Sequence, residues 1–344
     1  MIITRTPFRI SFFGGGTDYP VWFSENGGAV LGTTIDKYCY ITCRCLPPFF
    51  EHKHRIVYSQ TELVRGIDEI HHPSVRESMK FLNITEGLEI HHDGDLPART
   101  GLGSSSSFTV GLLHALYTLQ GVTPSKMQLA KEAIHIEQDV LKENVGCQDQ
   151  SLAACGGFCR IDFGGECDIS VRRIALKPQR IESLQDHLML FFTGFSRTAS
   201  EIAGEQIKQT PGKKQELTEM RRMVDKAIEI LNSSLDILDF GKLLHENWQL
   251  KRSLTDKITT PYTDFLYDTA RRAGAVGGKL LGAGGGGFIL FVVSPELQNR
   301  VSHALQGVLR VPVRFEDSGS QVIFSAPDLY YQNHHKEVAC PSLK

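Results

Sequence analysis

Apolar and polar positions change rhythm several times along the chain. Ala29 to Cys45 is a long run of apolar and β-branched residues with few breaks, which predicts a strand, and Leu88 to His92 predicts a second, shorter one. Ser105 to Leu119 is apolar on nearly every side and predicts a buried helix. Ser125 to Leu141 repeats its apolar residues every three or four positions and predicts an amphipathic one. Cys159–Phe163, Ile169–Ala175 and Leu188–Thr193 have the length and composition of strands. Helical patterns then dominate from Thr198 to Ala273, followed by a strand over Gly287–Val293 and a helix over Pro295–Leu309. No regular β–α–β rhythm emerges, so the expected class is α+β and not a doubly wound sheet. A break at Leu176-Lys177-Pro178 divides the chain into an N-terminal domain, residues 1–178, and a C-terminal one, 179–331. The polar residues 332–344 read as a loose tail.

Composition narrows the functional classes. A chain of 344 residues is long enough for two domains sharing a cleft. With 37 basic against 39 acidic residues the net charge is -2, which argues against nucleic acid as a partner. The longest apolar run, Phe288 to Val293, is far too short to span a bilayer, and no apolar segment follows Arg5 and Arg9 as a signal sequence would require. No membrane association is expected, and the expected location is cytoplasmic. The eight cysteines form no paired CxxC arrangement, so reduced and mostly buried thiols are expected, not a zinc site.

The densest local signal is Leu96-Pro97-Ala98-Arg99-Thr100-Gly101-Leu102-Gly103-Ser104-Ser105-Ser106-Ser107, placed directly before the buried helix. Glycines let backbone wrap closely around a ligand. The first N–H groups of a helix lack intrahelical partners and, with the helix dipole, attract anions. A turn with an N-cap would need one serine, and four serines with two glycines exceed that need. The pattern suits a nucleotide triphosphate, although no GxxxxGK[ST] occurs in the chain.

This segment resembles the phosphate-binding motif of the GHMP kinases, and two further stretches resemble that family's other motifs in the same order. Thr6-Pro7-Phe8-Arg9-Ile10-Ser11-Phe12-Phe13-Gly14-Gly15-Gly16-Thr17-Asp18-Tyr19 is similar to its N-terminal substrate motif. Lys279-Leu280-Leu281-Gly282-Ala283-Gly284-Gly285-Gly286-Gly287-Phe288 is similar to its C-terminal glycine motif. The resemblance implies two domains, one like ribosomal S5 domain 2 and one ferredoxin-like, with ATP and Mg²⁺ between them. The glycine motif also satisfies GxGxxG, but a dinucleotide fingerprint opens a helix, whereas a strand pattern follows here. Within the family, His72-Pro73-Ser74-Val75-Arg76-Glu77, Ser196-Arg197-Thr198-Ala199-Ser200-Glu201 and Trp248-Gln249-Leu250-Lys251-Arg252-Ser253-Leu254 resemble the bacterial kinases of heptose 7-phosphates. Fucokinase-like domains share part of this pattern, leaving a kinase of fucose or another free hexose as the alternative. A non-catalytic sugar- and nucleotide-binding relative is the alternative outside enzymes.

Two carboxylates stand out. Glu137 falls on the apolar stripe of its helix, with Ala133 and Ile134 before it and Val140 and Leu141 after it. A buried carboxylate needs a partner, either Mg²⁺ or an arginine. Asp149 has the position of a helix N-cap, with Gly156-Gly157 closing the helix. The resemblance implies that Glu137 and Ser105 bind magnesium and that Asp149 is the catalytic base with Arg9 beside it. It further implies that Pro97, Gly101, Leu102, Gly103 and Ser104 to Ser107 hold the ATP phosphates, while Gly15, Gly16, Thr17, Asp18, Gly284 and Gly285 face a small-molecule sugar. Galactokinases carry an acid and a histidine where this chain has Gly15 and Gly16, which argues against galactose and leaves room for a larger sugar. A phosphorylated sugar needs basic contacts, for which Arg197, Lys251, Arg252 and Lys257 are candidates.

Overall fold

The computed structural model describes residues 1–98, 100–164, 169–194 and 199–326. The chain opens with a long strand, β1 (Ile2–Phe13), then a short helix, α1 (Pro20–Asn26), and the still longer β2 (Gly28–Cys45). A hairpin, β3 (His54–Val57) and β4 (Thr61–Val64), leads to α2 (Pro73–Phe81) and β5 (Leu88–Gly94). The buried α3 (Ser104–Leu119) follows, then α4 (Lys126–Ile134), α5 (Gln148–Cys155), β6 (Phe158–Phe163) and β7 (Ile169–Arg173). After α6 (Pro178–Asp186) come β8 (Leu188–Gly194) and the helical run α7 (Ala199–Gln209), α8 (Lys214–Asn232), α9 (Ile237–Arg252) and α10 (Pro261–Ala273). The chain continues through β9 (Gly277–Leu280), β10 (Gly287–Val292), α11 (Gln298–Ala304), β11 (Leu309–Val311), β12 (Phe315–Glu316) and β13 (Gln321–Ser325).

Two sheets result. One has nine strands, with β13-β1-β2-β5-β3-β4 as its main path and β6, β7 and β12 attached through β2; the other has four, in the order β11-β8-β10-β9. Among the described pairings only β3 with β5 is parallel, so the α+β expectation holds. The long β2 serves three partners on the edge away from β1: Gly28–Thr33 pairs with β6, Thr34 and Ile35 with β12, and Cys39–Cys45 with β5.

The helix α3 lies on β1 and β2 and is buried from Ser106 through Leu116, as an all-round apolar segment must be. Phe12 and Phe13 of β1 meet Phe240 of α9 edge to face, with ring centroids 5.4 and 5.1 Å apart, so one core runs from the larger sheet into the helices beside the smaller one. The last described strands return to the first sheet, where β13 pairs with β1 and β12 with β2. Among the described residues no helix is long and apolar enough to cross a membrane.

Several elements differ from the pattern. β1 carries Arg5, Pro7 and Arg9, which break alternation and hide a twelve-residue strand. The register of β1 against β2 shifts between Pro7 and Arg9 and again between Ser11 and Phe13. The amphipathic segment ends as α helix at Ile134 and continues as a π-helical turn over His135–Val140, which sets Glu137 inward. The expected helix over Pro295–Leu309 stops at Ala304, because Gly307 takes φ +93° and turns the chain into β11.

The glycine run at 282–287 connects β9 to β10 as a hairpin, with Leu281 N donating to Phe288 O at 2.8 Å. It lies backbone against backbone on the serine-glycine loop. A Cβ on Gly101 (φ +83°) would stand 2.4 Å from Leu281 O, and one on Gly282 (φ +78°) 2.5 Å from the Gly101 Cα. Both glycines are required by that approach. Gly101→Ala therefore combines a left-handed backbone with a steric clash and should cost about 2–4 kcal/mol. Thermal unfolding measures it, and a melting midpoint equal to the wild type would show that the two loops can separate without cost.

Candidate active site

Six elements converge on one cavity of about 470 Å³. Its walls come from β1 and the loop after it, the N-terminus of α3, the start of α5, one face of α7, and the region where α9 and β9 meet the glycine hairpin.

Arg9 leaves β1 at the register shift, where an irregular strand can re-aim a side chain. Its Nε donates to Asp149 Oδ1 at 2.8 Å and one terminal nitrogen to Oδ2 at 2.6 Å, a bidentate pair. The other terminal nitrogen donates to Gly101 O at 2.6 Å. Arg9 is buried at 4% exposure, while Asp149 keeps 24% and so reaches the cavity. Asp149 is the second residue of α5 and caps nothing; its carboxylate is committed to Arg9. The N-cap reading is corrected accordingly. Gly103, at φ +76°, ends the loop just before α3, and a Cβ there would press on the Arg9 side chain at 3.1 Å.

The loop after β1 is held from behind. Thr17 Oγ1 donates toward Gly14 O and Ala29 O and accepts from Ala29 N, so its hydroxyl fastens the loop. This fastening aims Asp18, which accepts from Gly16 N at 2.9 Å. Burial raises the Asp18 pKa, the Gly16 N–H opposes the rise, and the Asp149 charge adds to it. Gly146 has no room for a side chain, since a Cβ would lie 1.9 Å from Asp18 Oδ2.

Glu137 is fully buried behind the α3 terminus. Ser106 Oγ donates to its Oε2 at 2.9 Å and Gln150 Nε2 donates to the same oxygen at 2.5 Å. Oε1 accepts no hydrogen bond of good geometry, although the nearby Thr109 hydroxyl favours the charged form. Burial pushes the Glu137 pKa up to about 7. The serine bonded to Glu137 is thus Ser106; Ser105 is exposed and lines the cavity.

Arg9, Gly15, Gly16, Asp18, Gly101, Gly103, Ser104, Ser105, Ser106, Asp149 and Lys251 all line this one cavity. Other expected residues stand elsewhere. Pro97 is exposed away from the lining, Leu102 is core and gives its carbonyl to Arg9 N, and Ser107 donates to Pro7 O. Gly285 N bonds Ile258 O, and a Cβ on Gly284 would clash with Ile258, so these two brace the hairpin while Gly282 and Ala283 face the cavity. Arg252 pairs with Asp264 and Lys257 with Glu205, away from the lining. Arg197 lies outside the described residues. Six cysteines are free thiols, and no cluster of three metal-ligating side chains occurs among the described residues.

Sequence reasoning missed Lys279, Ser11, Gln148 and Gln206, all in the lining. Lys279 had a signal, being a lysine inside a strand whose every residue is buried. Gln206 arrives from α7 and had none; its amide stands 2.7 Å from where a Gly16 Cβ would be, so a glycine at 16 is required to admit it.

A carboxylate held by a buried arginine, next to a glycine-led helix N-terminus and a second buried aspartate, is the equipment of a phosphotransferase acting on a hydroxyl. Comparison with known proteins agrees. The model of the GHMP kinases N terminal domain matches residues 70–157 and that of the GHMP kinases C terminal matches residues 227–310. The chain is 28% identical over 322 residues to a D-glycero-alpha-D-manno-heptose 7-phosphate kinase of Campylobacter jejuni, covering 89% of this chain and 93% of that one. Among solved structures, a D-glycero-D-manno-heptose 1-phosphate kinase from Bacteroides thetaiotaomicron has the same fold, with a TM-score of 0.70 at 24% identity over 95% of this chain and 100% of that one. Lactococcus lactis galactokinase, solved with galactose, gives 0.68 at 17% identity over 93% and 94%. The chain belongs to the GHMP kinase family and is an ATP-dependent phosphotransferase.

Burial and the neighbouring Arg9 lower the Lys251 pKa from 10.5 to about 8. Between those values the unfolded chain holds a proton that the folded chain has released, so this lysine makes stability rise with pH across that window. Relative to Lys251→Met, the wild type should gain stability from about pH 8 to about pH 10, measured by denaturant titration. A constant difference across that range would place the Lys251 pKa outside it.

Proposed function

We propose that this chain transfers the γ-phosphoryl group of ATP to the anomeric hydroxyl of D-glycero-D-manno-heptose 7-phosphate, giving the 1,7-bisphosphate used for nucleotide-heptose synthesis. The observation that carries the reading is the Asp149 carboxylate, clamped on both oxygens by Arg9 yet partly open to a cavity that also holds Asp18. The named heptose 7-phosphate kinase relative supports the choice of sugar. Gly15 leaves open space at the cavity wall for a chain longer than that of a hexose, while the space beside Gly16 is taken by Gln206.

In this mechanism the first half of the chain supplies the acceptor loop and phosphate loop, and Ser200, Ala203, Gln206, Lys251, Lys279, Gly282 and Ala283 complete the cavity. Asp18 accepts hydrogen bonds from sugar hydroxyls. Asp149 retains lone pairs beyond those facing Arg9 and takes the proton of the attacking hydroxyl. The sugar oxygen forms its bond to the γ-phosphorus while the bond to the bridging oxygen breaks, and ADP leaves with that electron pair. Arg9, fixed by three hydrogen bonds, offers positive charge that need not reorganise as the transferring group moves. The N-terminal N–H groups of α3, with Gly101, Gly103 and Ser104, cradle the phosphates.

The residues fit a divalent cation: Glu137 is a buried carboxylate with no cationic partner among the described residues, with Oε2 held by Ser106 and Gln150 and Oε1 uncommitted. Ser105 and Glu137 would hold Mg²⁺, which when bound neutralises charge on the phosphate oxygens.

Phosphorus NMR of reactions with ATP, Mg²⁺ and a panel of heptose 7-phosphate, fucose, mannose and galactose tests the substrate. A new anomeric phosphate signal confined to the heptose phosphate is expected, and turnover of a free hexose instead would move the protein to the hexose 1-kinases. Asp149→Asn should keep ATP binding and lower kcat by roughly 10²-fold; undiminished turnover removes Asp149 from the chemistry. Glu137→Gln should require more magnesium for half-maximal rate, and an unchanged magnesium titration would make Glu137 a purely structural group.

A further inference from the structure

Two ammonium groups stand in the cavity wall, and the mechanism above uses neither. Lys251, in the last turn of α9, and Lys279, in β9, are buried at 6% and 1% exposure, and both line the cavity. Each donates one hydrogen bond to a backbone carbonyl: Lys251 to Gly282 O at 2.5 Å and Lys279 to Phe12 O at 2.9 Å. An ammonium has three donors, so carbonyls leave most of this capacity unused. Neither lysine forms an ion pair within 4.0 Å among the described residues. The nearest acids do not make up the deficit. Asp149 is already committed to Arg9, and Asp18 is itself buried and spent in part on Gly16 N. The wall thus holds two buried amines with no carboxylate partner among the described residues, and their charged forms are costly without an anion.

We propose that Lys251 and Lys279 form the receptor for a phosphoryl dianion belonging to the acceptor sugar. The assignment rests on the kinase reading above and deepens it. Lys251 and Lys279 repel one another, and the other charged groups that act on them are Arg9, Asp18 and, for Lys251, Asp149, on the acceptor side of the cavity; Glu137 is not among them. A phosphate monoester entering here gives both ammonium groups a counter-charge. An unphosphorylated sugar leaves them buried and unpaired, so selectivity comes from the cost of the wrong complex as much as from contacts in the right one. Lys251 moreover holds the Gly282 carbonyl and Lys279 holds the strand that leads into the Gly14–Asp18 loop, so substrate charge is felt by both motifs that shape the acceptor site.

The test uses full-length wild type, Lys279→Met and Lys251→Met. Calorimetric titration with D-glycero-D-manno-heptose 7-phosphate, mannose 6-phosphate, mannose and the ATP analogue AMPPNP is run beside kcat and KM measurements. Thermal melting establishes that each variant is folded, and either variant alone suffices if the other is not. Each variant should lose about 10- to 100-fold in affinity for a sugar phosphate while AMPPNP affinity stays within about threefold. The expected kinetic signature is a raised KM for the sugar phosphate and a reduced preference for phosphorylated over free sugar. Unchanged sugar-phosphate affinity in a folded variant overturns the proposal. So does a wild type that binds mannose 6-phosphate and the heptose phosphate no more tightly than mannose. A loss falling on AMPPNP instead assigns the anion to the nucleotide. Absence of turnover with every sugar defeats the kinase reading separately, while the binding titrations still decide the receptor.

Discussion

A guanidinium taken out of water must find an acceptor for its donors, and much of the cavity is arranged around how Arg9 does so. Two of its nitrogens take Asp149 and the third takes the Gly101 carbonyl, which ties the first strand, the start of α5 and the serine-glycine loop to one side chain. Each partner is in turn constrained. Gly101 can present its carbonyl only because it lacks a Cβ against Leu281, and Gly103 can pass the Arg9 side chain only because it lacks one too. Removing one side of a buried pair leaves the other as an uncompensated charge, so the three segments are coupled in energy as well as in space.

Around that pair the cavity holds charges of both signs that do not fully cancel. Asp18 is pushed toward its neutral form by burial, and both lysines are pushed toward theirs. Such opposed tuning is expected where a charged ligand completes the balance, and it explains why a wall built largely from glycine hairpin and strand tolerates ionisable groups. Glycine's part here is largely steric. The hairpin at 282–287 approaches Thr100 and Gly101 so closely that backbone replaces side chain as the packing surface.

The long periodic elements were legible. The strand over Ala29–Cys45 and the helix over Ser105–Leu119 match β2 and α3 within one residue at each end, because their burial imposes a composition that sequence displays directly. The three glycine-bearing motifs could be ordered and their convergence expected. β1 was hidden, since Pro7 and Arg9 disrupt alternation at the register shift that gives Arg9 its aim. Which serine meets Glu137 was also hidden: a π turn, which no periodicity distinguishes from an α helix at this length, decides that it is Ser106. Thr17 has the composition of a ligand contact but works as a fastener, a distinction that depends on Ala29 lying twelve residues away in sequence and adjacent in space. Gln206 required the tertiary fold outright, as nothing in α7 itself sets one glutamine apart from another.

The pairing of β13 with β1 orders events during folding. β1 carries Arg9, and its edge beyond β2 is covered by residues 321–325, with Met1 N bonded to Ala326 O at a separation of 325 positions. Loop closure over such a span is slow compared with the local hairpins and helices of the chain. On a ribosome, the strand that carries Arg9 emerges long before residues 321–325 and waits, one edge bare, until they have been made. An unpaired strand edge is a template for association with other chains. The interval between synthesis of the first and last strands is therefore the period in which this protein is most exposed to misassembly, and in which a chaperone would have the most to do.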